Sequence, residues 1–475
     1  MVIKTTATYV ITSKTKRIVY HFYSRRLVLQ VIIDDNVDGD SVNRDKGEKP
    51  SEHENLYNQW AWRCNIQKKS SGKLAGMKIA VKDCVAVAGV PMQAGCAGIV
   101  DYIPTYDAPF ISTLLDEGAI IVGKTNLECF CMSPLSHTCC NGNVLNPFDI
   151  KRTTGGSSSG SAVAVATGEV EMSIGTDTGG SVRIPSNFCG LVGMKPTTGF
   201  LSTMGVTPCR PLLDTVGPLT KTIKNNAICL EVMAESNKKL KYIAGLYDYT
   251  SHLEDGVKNM KIAILKEGFE GANVDYEVVE VVRTCIDKLK QYKVTFAEIN
   301  IPECKLARDL LASYSVVARE YLQNKLCNKG QLILKSEIKK HFVDQNKFSY
   351  SAIATSLVGY ILSDEEGDRC FEKAEDVSHM LAAKFDKYLE EFDAICCPTI
   401  PMKAPLLPNN NEIFNQSPAE FNNPRIANIT GHPALTVNCG FTSDGLPVGI
   451  MFTGKYYDEK TLYRIGRAVE KMSEN

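Results

Sequence analysis

The sequence lacks a large net charge of either sign and lacks any long apolar run, and these two absences exclude several functions at the start. Its 53 Lys and Arg residues are balanced by 54 Asp and Glu residues, so no strong field attracts nucleic acid or an anionic membrane surface. No stretch reaches the roughly 18 consecutive apolar residues that a membrane-spanning helix needs. We therefore expect neither a direct nucleic-acid partner nor a membrane span.

The sequence also lacks the spacings of metal sites, although it holds 17 cysteines. It contains no C-x-x-C pair, and its 7 histidines do not cluster with cysteines at zinc-site spacing. The cysteine number is odd, and the adjacent residues in Cys139–Cys140 and in Cys396–Cys397 are poor candidates for mutual disulfides. We therefore expect no metal, and free thiols buried in a reducing compartment such as the cytoplasm.

By composition, the 475-residue chain divides into an N-terminal arm and one large domain. Residues 1–33 have no acidic residue and many Thr, Ser, Lys and Arg residues, which is typical of a transit peptide, so a mitochondrial location stays open. Because residues 34–56 are polar and charged, the arm, residues 1–55, is predicted to be disordered or transit-like. Residues 56–475 form the predicted domain, with a helix-rich insertion at 303–390.

Short apolar segments alternate with segments of helical spacing along this domain, which is typical of an α/β fold. Residues 77–81 predict a buried strand that ends at Lys82, and the ends of strands are where open α/β sheets place their chemistry. Residues 108–117 have the apolar spacing of a helix that ends at Gly118. Residues 161–167 predict a buried helix that follows a serine-glycine loop.

Two loops rich in glycine and hydroxyl residues, 155–160 and 175–181, flank one hydrophobic segment. Glycine lets the backbone approach a ligand closely, and glycine runs leave N–H groups free to face an anion. Ser157 lies in the first loop and Ser181 in the second. Either loop alone would be typical of a flexible linker or turn, but together with Lys82 the two loops favour a catalytic site.

The sequences of these loops closely resemble those of the amidase signature family. The resemblance lies in G-G-S-S-S-G-S-A at 155–162, G-T-D-T-G-G-S-V-R-I-P at 175–185 and the lysine motif I-A-V-K-D at 79–83. Residues 187–197 are similar to the stretch that follows the nucleophile, and the resemblance covers roughly residues 57–473. It implies an α/β fold, the amidase signature fold, in which α-helices cover both faces of a large, mixed, twisted β-sheet.

The resemblance also implies an amidase that converts a carboxamide to a carboxylic acid and ammonia with a Ser-Ser-Lys triad. Ser181 would be the nucleophile that forms the acyl-enzyme, Ser157 would relay its proton after a cis peptide bond, and Lys82 would be the final base. A lysine acts as a base only when it is neutral, a form that burial favours. The mechanism needs no metal or organic cofactor. Four backbone N–H groups would form the oxyanion hole, those of Thr178, Gly179, Gly180 and Ser181.

Three competing interpretations are disfavoured. Residues 118–125 match the P-loop pattern G-x-x-x-x-G-K-T, but their four middle residues are apolar and predict a strand instead of a phosphate loop. Residues 156–160 match the G-x-S-x-G turn of α/β-hydrolases, but the segment before them, 146–154, is polar, and His432 is more typical of a structural residue. An inactive scaffold with the same fold is disfavoured because all three catalytic positions are present.

Within the family, the sequence looks most like the general and enantioselective amidases. The A subunit of the glutamyl-tRNA(Gln) amidotransferase is the alternative, and a fatty-acid amide hydrolase-like enzyme is another, although no membrane-binding amphipathic segment is evident. The amidotransferase protein has an acidic residue that binds the amino group of glutamine. Ungapped alignment from Asn428 places Phe421 at that position, which disfavours glutamine as the substrate.

By resemblance, residues 129–137 should line the acyl pocket. Their apolar content favours an aliphatic or aromatic acyl group over a charged one. The expected partner is therefore a small-molecule amide. The expected assembly is a homodimer, or a complex with partner subunits if the amidotransferase interpretation holds.

Overall fold

The computed structural model describes residues 42–237, 247–315, 329–361, 365–408 and 421–474. The strands of these residues are β1 Asn43–Glu48, β2 Trp60–Gln67, β3 Lys78–Lys82, β4 Ile120–Thr125, β5 Leu145–Asn146, β6 Asp149–Thr153, β7 Met172–Asp177, β8 Val192–Lys195, β9 Thr215–Thr220, β10 Lys261–Leu265, β11 Thr295–Ile299, β12 Ala394–Pro398, β13 Ala434–Phe441 and β14 Pro447–Thr453. Their α-helices are α1 Pro109–Asp116, α2 Ser159–Ala166, α3 Arg183–Phe188, α4 Ile223–Ala234, α5 Tyr276–Gln291, α6 Ala307–Ser313, α7 Lys329–Lys340, α8 Tyr350–Ile361, α9 Glu365–Glu391, α10 Asn422–Thr430 and α11 Glu459–Glu474.

All of these strands except β5 and β6 belong to one mixed sheet of 12 strands. Its order is β1-β2-β4-β3-β7-β9-β8-β13-β14-β12-β10-β11. β3 pairs in parallel with β4 and β7, and β10 pairs in parallel with β11 and β12, whereas the other pairs are antiparallel. The short strands β5 and β6 form a separate hairpin. The expected large mixed sheet is confirmed.

Helices cover both faces of the sheet, as the side chains of β3 show. Ile79 and Val81 belong to a large apolar cluster that includes residues of α1 and α4. Ala80 points to the other face, where it joins a cluster with the alanine and valine residues of α2. Because successive side chains of a strand point to opposite faces, a strand buried on both sides is apolar throughout. This explains the unbroken apolar run of β3.

Local sequence signals set the ends of several helices. Gly118 follows α1 with a positive φ of 86°, a conformation that glycine adopts without strain. Asp275 caps α5 by accepting a hydrogen bond of 2.9 Å from the backbone N–H of Glu277. The buried side of α5 includes Val278, Val282 and other apolar residues at helical spacing.

Two regions add to the domain plan expected from composition. β1 lies in the polar segment assigned to the arm, and it pairs antiparallel with β2 at one edge of the sheet. Within 303–390, the described residues form α6, α7, α8 and most of α9.

The structure also bears on three features considered from the sequence. Residues 118–125, which match the P-loop pattern, are mostly strand β4. Among the described residues, no helix is long and apolar enough to cross a bilayer, and no three or more His, Cys, Asp or Glu side chains form a metal-binding group.

Candidate active site

The sheet brings the lysine and one of the two serine loops to the same edge. β3 and β7 are parallel neighbours, with Val81 opposite Ile174, so their carboxyl ends meet at one edge of the sheet. Lys82 is the last residue of β3, and β7 runs directly into the loop that carries Ser181. Ser157 approaches this edge on the loop that precedes α2.

Lys82 is completely buried, and its ammonium group is held by hydroxyl groups. Nζ donates to Ser157 Oγ at 2.8 Å, to Thr176 Oγ1 at 2.7 Å and to the Thr176 carbonyl at 3.4 Å. No carboxylate of the described residues forms an ion pair with Lys82. These hydrogen-bond partners of Lys82 Nζ are all hydroxyl and carbonyl oxygens.

The two serine loops are tied together by Ser158. The peptide bond between Gly156 and Ser157 is cis, as the resemblance implies. The next residue, Ser158, donates its backbone N–H to the Ser181 carbonyl at 3.2 Å and its hydroxyl to the Thr176 carbonyl at 3.2 Å. The loop of Ser157 is therefore fixed directly to the loop of Ser181.

The backbone of the Ser181 loop supplies unpaired donors. The Gly180 N–H, expected in the oxyanion hole, donates instead to Asp177 Oδ1 at 2.8 Å. Among the described residues, the N–H groups of Thr178, Gly179 and Ser181 have no acceptor. Gly180 has a φ of 112°, and a Cβ atom there would lie 2.7 Å from the Pro424 side chain. Only glycine fits at this turn, and the turn leaves three N–H groups available.

Arg183 stabilises this loop through hydrogen bonds to Asp177. Its Nε and Nη2 donate to the Asp177 carboxylate at 3.0 and 2.9 Å, and Nη2 also donates to Asn428 Oδ1 at 2.7 Å. Asn428 Nδ2 donates to Asp177 Oδ1 at 2.9 Å. All three side chains are buried. Burial alone would raise the pKa of Asp177, but the charge and hydrogen bonds of Arg183, with the Asn428 amide, hold that pKa well below its ordinary value.

Two further carboxylates, which sequence reasoning did not single out, support the site. Asp214 accepts a hydrogen bond of 2.6 Å from Thr178 Oγ1, and burial raises the pKa of this carboxyl. Asp83, next to Lys82, forms a buried ion pair of 3.0 Å with Lys124 Nζ. Burial raises the pKa of Asp83, and the Lys124 charge opposes that shift. Asp83 lies in the I-A-V-K-D motif, so a search for charged neighbours of Lys82 could have found it.

The segment 129–137 reaches the serine loops, as expected of a pocket wall. A Cβ atom on Gly156 would lie 2.7 Å from the Ser133 carbonyl, so the segment abuts the first loop. Cys131 Sγ lies 3.7 Å from Thr176 Oγ1. Sequence reasoning missed both Cys131 and Thr176 as neighbours of Lys82, because this contact joins segments far apart in the chain.

His432 has the contacts of a structural residue. It is fully buried, its ring stacks on Tyr456 with 4.1 Å between ring centroids, and its Nε2 lies 3.3 Å from Asp386 Oδ1. Burial lowers its pKa, so it favours the neutral form. These contacts are distinct from those of Lys82 and Ser157, which agrees with the sequence interpretation.

The comparison with known families shows which protein family the chain belongs to. Residues 53–463 match the family model described as Amidase. The chain belongs to the amidase family. Amidases hydrolyse the C–N bond of amides, so family membership gives the class of reaction. The mixed sheet and the order of the motifs agree with this assignment.

This amidase is similar to several known proteins over most of its length. The A subunit of glutamyl-tRNA(Gln) amidotransferase from Methanosarcina acetivorans is 36% identical over 409 residues, which cover 84% of this chain and 85% of that protein. The crystal structure of the A subunit from Thermotoga maritima has a TM-score of 0.68 and 28% identity, and covers 90% of this chain and 87% of that one. A 6-aminohexanoate cyclic dimer hydrolase matches with a TM-score of 0.74 at 21% identity, covering 85% of this chain and 86% of that chain, which shows the shared fold alone.

Proposed function

We propose that this amidase hydrolyses a small carboxamide to its carboxylic acid and ammonia through an acyl-enzyme on Ser181. The observation that carries the proposal is the buried hydrogen bond of 2.8 Å between Lys82 Nζ and Ser157 Oγ, beside the Ser181 loop. A nucleophilic serine needs a base that removes its proton, and the Lys82–Ser157 pair is proposed to be that base.

The proposed reaction gives each of these groups one step. Neutral Lys82 takes the proton of Ser157 as Ser157 takes that of Ser181, and Ser181 Oγ attacks the amide carbon. The N–H groups of Thr178, Gly179 and Ser181 hold the oxyanion, and each such donor contributes about 3 kcal/mol. The proton returns from Lys82 through Ser157 to the nitrogen, so that ammonia leaves. Water then cleaves the acyl-enzyme by the same proton route and releases the acid.

Replacing Ser157 by alanine should lower kcat about 10²- to 10⁴-fold, because it removes the hydroxyl that passes the proton to Lys82. The chain offers a matched control in Ser159→Ala, two positions away. Ser159 is also buried, but its Oγ has no hydrogen-bond partner among the described residues. Steady-state ammonia release should therefore stay near the wild-type rate in this control. Equal losses in the two variants would contradict the relay.

The acyl group is proposed to be aliphatic or aromatic, since Met132 directly precedes Ser133, whose carbonyl faces Gly156 of the first serine loop. Met132→Asp should lower kcat/KM for apolar amides by about 10-fold or more, because a carboxylate disfavours burial of an apolar group. The control is Met380→Asp on α9, where the side chain is exposed and kinetics should not change. Unchanged kinetics in Met132→Asp would place the acyl pocket elsewhere.

A second candidate is the glutaminase component of a glutamyl-tRNA(Gln) amidotransferase. It is favoured by the identity of 36% to such a protein over 84% of this chain. The surroundings of Phe421 count against it. At the position expected to be acidic, Phe421 is buried in an apolar cluster, with its ring 6.3 Å from that of Phe188. This residue cannot bind the amino group of glutamine there.

The deciding experiment is ammonia release by the purified chain over aliphatic, aromatic and fatty amides and glutamine. A fluorophosphonate probe, followed by peptide mass mapping, identifies the nucleophile in the same preparation. We expect turnover of simple amides and an adduct on the peptide of Ser181. Glutamine cleavage that requires added partner subunits would support the second candidate. An adduct on another residue, or none with full turnover, would overturn the acyl-enzyme on Ser181.

The remaining assignments are proposals of the same kind. We propose a cytoplasmic enzyme, with a mitochondrial location as the alternative, and a homodimer unless partner subunits are required. Residues 1–55 are proposed as the arm and 56–475 as the catalytic domain, with its helix-rich insertion at 303–390. Apart from water, the amide substrate is the only small molecule that the mechanism needs.

A further inference from the structure

Two cysteine thiols flank the hydroxyl group that holds Lys82. Cys84 lies two positions after Lys82, and Cys131 ends a short helical turn, Cys129–Cys131. Each Sγ lies 3.7 Å from Thr176 Oγ1, so the two thiols contact the same hydroxyl group. The same Thr176 Oγ1 accepts the 2.7 Å hydrogen bond from Lys82 Nζ. Both cysteines are free thiols.

The two thiols differ in acidity in the way that a reacting pair requires. The neighbouring Cys84 thiol, together with the hydroxyls of Thr176 and Ser157, lowers the pKa of Cys131. Burial, with the contact to Cys131, raises the pKa of Cys84. A thiolate is the form that reacts with oxidants, so Cys131 is the attacking sulfur and Cys84 the resolving one.

Cys131 is the more accessible of the two thiols. Cys131 and Ser181 are each 8% exposed, and both border the serine loops, whereas Cys84 has no exposure. The opening at Ser181 has to admit an amide in the proposed reaction, and hydrogen peroxide is smaller than any amide. Of the two thiols, Cys131 is therefore the one that a peroxide meets first.

We propose that Cys84 and Cys131 form an oxidative modification site that takes hydrogen peroxide and switches the amidase off. The Cys131 thiolate attacks one peroxide oxygen, which breaks the O–O bond, releases hydroxide and leaves a sulfenic acid. The Cys84 sulfur then attacks the sulfenic sulfur and displaces hydroxide, which leaves as water with the thiol proton. In total, two thiols and one peroxide give one disulfide and two waters.

The disulfide inactivates because it moves groups that position Lys82. A disulfide holds its sulfurs about 2.0 Å apart, much closer than two thiols in contact, so the end of β3 or the turn of Cys131 must shift. A displacement of about 1 Å at a catalytic group costs roughly 100-fold in rate. The loss of activity rests on the proposed function of Lys82 and Ser157, whereas formation of the disulfide does not.

The test treats the full chain with hydrogen peroxide, then with dithiothreitol, and measures amide turnover relative to each untreated variant. We expect turnover to fall at least 10-fold after peroxide and to recover after dithiothreitol. Peptide mapping without reduction should show Cys84 and Cys131 in one cross-linked peptide that has lost two hydrogens. In Cys84→Ala the cross-link is absent, and Cys131 oxidises further, so dithiothreitol should no longer restore turnover.

Cys370→Ala is the matched control, because Cys370 is an exposed thiol of the described residues and should not affect the response. Absence of the Cys84–Cys131 cross-link in the wild type overturns the modification site, whether or not any amide is turned over. A cross-link that forms without loss of turnover overturns the switch. Full recovery by dithiothreitol in Cys84→Ala also overturns it.

Discussion

Ser181→Ala should reduce kcat for amide hydrolysis by about 10⁴-fold or more, with the fold unchanged. The substitution removes the only atom that is proposed to bond to the acyl group. The N–H donors of Thr178 and Gly179 remain, so a small residual rate over water is expected. The measurement is ammonia release at saturating amide, together with fluorophosphonate labelling, which should disappear.

Ser159→Ala again serves as the control, since it also removes a buried serine hydroxyl from the catalytic region without removing a hydrogen bond. Far-UV circular dichroism of both variants should match the wild type. Substantial turnover by Ser181→Ala, at more than about a hundredth of the wild-type rate, would show that another group attacks the amide.

Arg183→Met should lower the free energy of unfolding by about 3–5 kcal/mol, because it leaves the buried Asp177 carboxylate without its charged partner. Arg183 makes two hydrogen bonds to Asp177 and one to Asn428, and none of the three side chains is more than 1% exposed. Urea unfolding measures the change. Activity should also fall, since Asp177 holds the Gly180 N–H and thereby the shape of the oxyanion loop.

Two further variants test whether the loss of stability in Arg183→Met comes from the unpaired buried charge of Asp177. Lys290→Ala removes an ion pair in which both side chains are more than half exposed, and should change the free energy of unfolding by less than about 1 kcal/mol. Arg183→Met combined with Asp177→Asn should recover part of the loss, because no buried charge remains unpaired. A double variant no more stable than Arg183→Met would indicate that lost packing, instead of the charge, destabilises the single variant.

The same ion pair predicts a pH dependence of stability. The pKa of Asp177 is lower in the folded protein than in the unfolded chain, where it is about 3.9. Its contribution is therefore present at pH values above that unfolded pKa, and it is lost progressively as the pH falls toward the folded pKa. Arg183→Met should make the free energy of unfolding less dependent on pH in this acidic range.

Much of the local structure could be predicted from the sequence. The strand predicted at residues 77–81 forms as β3, Lys78–Lys82. α1 ends before Gly118 as expected, and the loops of Ser157 and Ser181 lie next to each other as the motifs imply. Such features depend on apolar spacing and on glycine, both of which act over a few residues. Strand β1 could not be predicted in this way, because an exposed edge strand needs no apolar pattern.

The sequence by itself determined the family, the two serine loops and the lysine, because each is carried by a short motif with its own backbone requirement. Only the tertiary structure decided which groups touch them. It placed Thr176 and Cys131 around Lys82, and it assigned the Gly180 N–H to Asp177 instead of the oxyanion hole. The physical reason is that these contacts join separate strands and turns, so they depend on the order of strands in the sheet, which no local pattern contains.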